Sequence, residues 1–193
     1  MAEGLAERAK DAVVSSVKGA GDIVDSVRST ATNLVTGALR SAGEIAAAAV
    51  GVVTDTVRGA IRGAKEAGVE LAAGTKGAVS GAIQAVGEVG GDVIEAARNA
   101  ARAAVRGASE VGADLAGTAR AAVEGAFEAA KRLGADTMAT VRGAAEGAVE
   151  TAGEVSKDAL EAVTSGLRTA AAVPRDVIEA AIKSAEKKGK GDS

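Results

Sequence analysis

The carboxylates are the side chains whose type and spacing best suit chemistry. Asp92, Asp114, Asp136 and Asp158 stand 22 residues apart (114−92, 136−114, 158−136). Paired carboxylates can divide general acid and general base work when their surroundings push their proton affinities apart. The same step, however, also governs Gly90, Gly112 and Gly134, the row Val89, Val111, Leu133, Val155 and Val177, and Arg98, Arg120 and Arg142. A spacing shared by acids, bases, glycines and valines follows the backbone's period rather than a reaction. A solvated polar face accounts for the acids. Other chemistry fails on residue type. With no His and no Cys in the chain, the commonest general base, the thiolate nucleophile and the soft metal ligands are missing. The Ser and Thr hydroxyls have no activating base, and no Gly-rich run leads into the Lys-Ser/Thr of a phosphate-binding loop. The sequence reads as a non-enzyme, with no catalytic, cofactor or metal site and no small-molecule substrate.

The element that positions these rows is helical. Eleven residues make three turns of about 3.67 residues, so two such units bring a side chain back to the same face. Carried backward, the register places Val57, Val79 and Val123 in line with Val13 and Val35, and Ile23 and Ile45 ahead of Ala67 and Val89. A hairpin corner would be expected to break the count, and no break is found. Gly90-Gly91 is the best candidate, and both residues keep register. The expectation is therefore an all-α chain: one long continuous amphipathic helix with 11/22-residue (hendecad) repeats and straight or right-handed coiled-coil packing. Residues 1–23 form a divergent N-terminal repeat, 24–177 the repeat array, and 178–193 the helix end and polar tail. Pro174, the only proline, is expected to end or kink the helix, because a proline inside one costs about 3 kcal/mol.

Projected on a wheel, the repeat separates into faces. An apolar stripe carries Val57, Ile61, Val79, Ile83, Val105, Val123, Phe127 and Val149. Glu70, Asp92, Asp114, Asp136 and Asp158 lie on the opposite side, and Lys76, Arg98, Arg120 and Arg142 form a basic border. Gly90, Gly112 and Gly134 fall near the stripe, where small residues permit close approach of two helices. Such a helix buries little of its stripe alone, and each interior glycine costs about 0.8–1.0 kcal/mol relative to alanine. It is expected to fold fully only against a surface: another copy, a membrane or a client protein.

Composition limits the other partners. Net charge is −3, with acids and bases interspersed and no Trp or Tyr, which leaves no footprint for nucleic acid. The longest apolar run, Ile45 to Val53, lies between Glu44 and Asp55, far short of the roughly 20 residues that span a bilayer. The start is charged from residue 3 and lacks an apolar secretory core. The expected location is cytoplasmic, including the membrane periphery.

The segments Ala122-Val123-Glu124-Gly125-Ala126-Phe127-Glu128-Ala129-Ala130-Lys131 and Thr140-Val141-Arg142-Gly143-Ala144-Ala145-Glu146-Gly147-Ala148 combine this period with mid-face acids and border bases. In this the chain resembles the group 3 late embryogenesis abundant proteins and, more loosely, is similar to the lipid-surface helices of apolipoproteins, synucleins and perilipins. Where plant members are strongly hydrophilic, this chain has a mean hydropathy of +0.15. The resemblance implies a protectant that lies on membranes or vulnerable proteins during stress. Two alternatives stand beside it: an architectural right-handed coiled coil or filament, and a coat for lipid particles or polymer granules.

Overall fold

The rows of valines and glycines belong to different parts of one folding unit. The computed structural model describes residues 2–42, 44–170 and 173–191. These contain nine α-helices: α1 (Ala2–Val17), α2 (Ile23–Arg40), α3 (Ile45–Glu66), α4 (Leu71–Glu88), α5 (Val93–Glu110), α6 (Leu115–Leu133), α7 (Thr137–Val155), α8 (Lys157–Arg168) and α9 (Arg175–Gly191). Among the described residues there is no strand.

The 22-residue unit is a helix plus its turn. Gly68, Gly90, Gly112 and Gly134 have φ between +63° and +78°, the left-handed region that glycine enters without steric cost. Each ends a helix in a Schellman motif. At the α5–α6 turn, Ala113 N–H donates to Ala108 C=O at 2.9 Å and Gly112 N–H to Ser109 C=O at 3.2 Å. The α3–α4, α4–α5 and α6–α7 turns repeat this pair of bonds. Two residues after each glycine, an acid opens the next helix. Asp92, Asp114 and Asp136 accept backbone N–H bonds from their first turns, as an N-cap should.

The single continuous helix expected from the sequence is therefore replaced by an array. The count does not slip at the corners because the turn residues are counted within the repeat. One row shows how strict the phase is. Val13, Val35, Val57, Val79, Ala101, Val123, Ala145 and Leu167 are 22 residues apart, lie in eight successive helices, and are all at most 1% exposed. Pro174 also plays a different part from the one expected. Its carbonyl accepts the N–H groups of Val177 and Ile178, so it opens α9 instead of ending a helix. Of the polar tail, residues 192–193 lie outside the described residues.

Helices two apart in sequence pack side by side, giving one row of α1, α3, α5, α7 and α9 and another of α2, α4, α6 and α8. Consecutive helices pack between the rows. The core between them is mostly alanine and valine.

Candidate functional site

The apolar stripe is the interior of this array. Val57, Ile61, Val79, Ile83, Val105 and Val123 are fully buried and Val149 nearly so, all within one cluster. In the array they face neighbouring helices instead of open surface. The reason lies in the chain folding back every 22 residues, so that each helix supplies the surface its neighbours need. Phe127 alone is half-buried, packed at the edge of the core.

Between helices two apart, glycines set the distance. A Cβ added at Gly147 of α7 would lie 2.3 Å from the carbonyl oxygen of Arg98 in α5, and one at Gly143 would lie 3.0 Å from that of Ile94. The same seating recurs at Gly59 and Gly63 on the carbonyls of Ala6 and Lys10, at Gly77 and Gly81 on Val24 and Arg28, at Gly125 on Lys76, and at Gly166 on Ala116. Gly59/Gly63, Gly77/Gly81 and Gly143/Gly147 are four residues apart, which puts each pair on one side of its helix. Close approach had been expected at Gly90, Gly112 and Gly134, but these occupy turns and have nothing within 4 Å of an added Cβ. The i,i+4 glycine pairs were the sequence signal for the true interface. A 22-residue row obscured it, because the pairs do not recur in every unit.

Ion pairs follow the same interfaces. Arg98, Arg102 and Arg106 of α5 donate to Glu146, Glu150 and Glu154 of α7, each pair 48 residues apart. A constant positive offset means that the two helices run in the same direction. Arg62 reaches Glu110 at 2.9 Å, Lys76 reaches Glu128 at 2.7 Å, and Lys10 of α1 reaches Glu66 of α3 at 3.5 Å. The predicted basic border is thus divided. Lys76 and Arg98 join helices of one row, Arg120 lies 4.0 Å from Glu124 on its own helix, and Arg142 is exposed. The predicted acidic back is divided too, since Asp92, Asp114 and Asp136 are caps.

Titration is perturbed at Asp25, Lys10 and Asp55. The hydrogen bond from Arg28 holds the Asp25 carboxyl below its ordinary range, with the Arg28 charge adding to it. The bond to Glu7 raises Lys10. Burial raises Asp55, against the opposing pull of Arg58. Among the described residues no group of three or more acids could hold a metal ion, and no helix is long and apolar enough to cross a membrane.

The two ends of the row α1, α3, α5, α7 and α9 carry exposed polar side chains. Glu7, Arg8, Asp11 and Ser15 are exposed on α1, and Arg175, Asp176, Glu179, Lys183 and Lys187 on α9. Val50, Ile94 and Met138 are exposed apolar side chains on α3, α5 and α7.

No protein-family model matches the chain, and no characterised protein matches it in sequence. Among solved structures, it is similar to the crystal structure of a de novo designed helical repeat protein. The two are 22% identical over 97% of this chain and 94% of that one, with a TM-score of 0.49.

Proposed function

We propose that the protein is a non-enzymatic, protectant-like chain that closes its amphipathic helices on one another and transfers the same faces to a membrane or a vulnerable protein. The observation that carries this reading is the 22-residue phase, which runs through the turns as well as the helices. A closed tandem array also repeats with its turns counted in the unit, but it does not require that the turns keep the helical phase. An open chain does need it. If residues 89–92, 111–114 and 133–136 became helical, Val79, Ala101, Val123 and Ala145 would line one uninterrupted face. That form is the long continuous helix, able to lie on lipid, on a client, or against a second copy.

Three features support the exchange. Helices of 18 residues, such as α4 and α5, take most of their stability from the surface on which their apolar face packs. Their buried side chains are mostly alanine, glycine and valine, so little area is withdrawn with each; a methyl group contributes only about 0.8 kcal/mol on burial. The hinges are glycines, which move between left-handed turn and helix without a Cβ clash. The likeness to group 3 late embryogenesis abundant proteins and to apolipoprotein-type helices points the same way. A cytoplasmic, membrane-peripheral location fits this activity. A lipid-particle or granule coat is the same activity on one kind of surface.

A second reading, an architectural element, is favoured by the three parallel Arg–Glu pairs that tie α5 to α7. One variant separates the two. Replacing Gly90, Gly112 and Gly134 with alanine strains each turn by about 1–2 kcal/mol while favouring the helix there by about 0.8–1.0 kcal/mol. The closed array is weakened and the open helix strengthened. Protection of dried vesicles and of a labile enzyme should then be kept or improved. Loss of protection in step with loss of the closed array would favour the architectural reading instead.

A further inference from the structure

Ile61, Ile83, Val105, Phe127 and Val149 hold equivalent positions in five successive helices, and all but Phe127 are at most 2% exposed. Phe127, the only aromatic residue in the chain, is instead half-buried. It lines a groove of about 390 Å³ together with Lys76, Glu124, Glu128, Lys131 and Arg132.

The charges in this groove are unevenly matched. Lys76 takes Glu128 at 2.7 Å, and Glu124 faces Arg120 at 4.0 Å. Among the described residues, Lys131 and Arg132 have no carboxylate within 4.0 Å. The Lys131 ammonium stands 5.4 Å from the centroid of the Phe127 ring. The charge of Arg132 reaches toward Asp25 of α2 and is the weakest of the influences lowering that carboxyl. Both cations lie in the last turn of α6, where they suit its carbonyl end, and both are exposed and line the groove. The result is a half-buried ring beside two exposed cations, within a volume typical of small-molecule sites.

We propose that this groove binds an anionic amphiphile, with its carboxylate or phosphate head on Lys131 and Arg132 and its apolar body over Phe127. Arginine offers a planar fork to such a head and lysine a point charge. A free fatty carboxylate and a lipid phosphate present the same chemistry. The proposal concerns the closed array and does not depend on its opening.

The test uses the full chain. The variant Phe127→Trp introduces the only indole, so its emission reports the groove alone. Dodecanoate and dodecyl phosphate, below their micellar concentrations, should each give a saturable shift. Dodecyltrimethylammonium should give none. Lys131→Glu with Arg132→Glu should weaken the anions by about tenfold or more, the worth of one lost charge-assisted bond. Calorimetry of the unmodified chain with dodecyl phosphate guards against an effect of the new indole. A response to soluble amphiphile supports a free ligand, and a response only to phosphatidate vesicles supports a headgroup. The proposal is overturned by equal binding of the cationic amphiphile, by indifference to the double charge reversal, or by no response to any anion. Cross-linking α5 to α7 through Arg102→Cys and Glu150→Cys should leave binding intact, which keeps this result separable from the opening reading.

Discussion

At the scale of the residue, glycine has three different uses in this chain, and one substitution sorts them. Where an added Cβ meets a carbonyl of the neighbouring helix, as at Gly81 and Gly147, alanine forces two backbones apart. Overpacking of this kind costs about 1–3 kcal/mol, more than the helix propensity that alanine gains. Where an added Cβ meets nothing, as at the helical glycines Gly37, Gly51 and Gly153, alanine should stabilise by about 0.8–1.0 kcal/mol. Denaturant unfolding of Gly147→Ala and Gly153→Ala, six residues apart on one helix, should therefore give changes of opposite sign. Two changes of the same sign would refute the assigned interface. The third use, at positive φ in the turns, was concealed in the sequence by regularity. Gly90, Gly112 and Gly134 keep step with the valines and so read as helix positions.

At the scale of the element, the turn decides where each helix starts. Asp114 accepts the N–H of Ala116 at 3.0 Å, and Asp114→Ala should cost about 1 kcal/mol. Glu70 occupies the same place before α4 but makes no side-chain cap bond, so Glu70→Ser should stabilise by a similar amount. Melting of the two variants checks both; a neutral Asp114→Ala would mean that the turn is not closed as described. The helical period and the inward rows were legible in the sequence, because Val13 through Leu167 keep one phase. The corners were not. A four-residue corner such as Val89-Gly90-Gly91-Asp92 spans about one helical turn, so a folded corner and one more turn of helix leave the same periodic trace. Where the unit varies, the structure adjusts without losing its core: α3 has 22 residues against the 18 of α4, and Ser156 alone joins α7 to α8.

At the scale of the whole molecule, the nine helices of the described residues close a core made mostly of alanine and valine, held by glycine contacts and parallel ion pairs. The outward faces of α1 and α9 are polar, as the terminal units of a repeat array must be for solubility. Removing residues 173–193 uncovers the α7 face that α9 covers. That variant should associate with rising concentration and bind an apolar dye; a monomer that binds no dye would contradict the packing. The partner surfaces read from the wheel were legible as faces but not as sites, since the sequence does not say whether a stripe meets lipid, a client or its own next turn. The most direct test uses a chain with no native cysteine. Spin labels at Arg102→Cys and Glu150→Cys, 48 residues apart, report the α5–α7 interface by pulsed dipolar spectroscopy. In dilute buffer the closed array predicts a separation of about 20 Å or less, from adjacent helices about 8–10 Å apart plus the label arms. On anionic vesicles the opened helix predicts about 72 Å, at 1.5 Å per residue. A long distance in buffer would contradict the array, and a short distance persisting in vesicle-bound protein would contradict its opening.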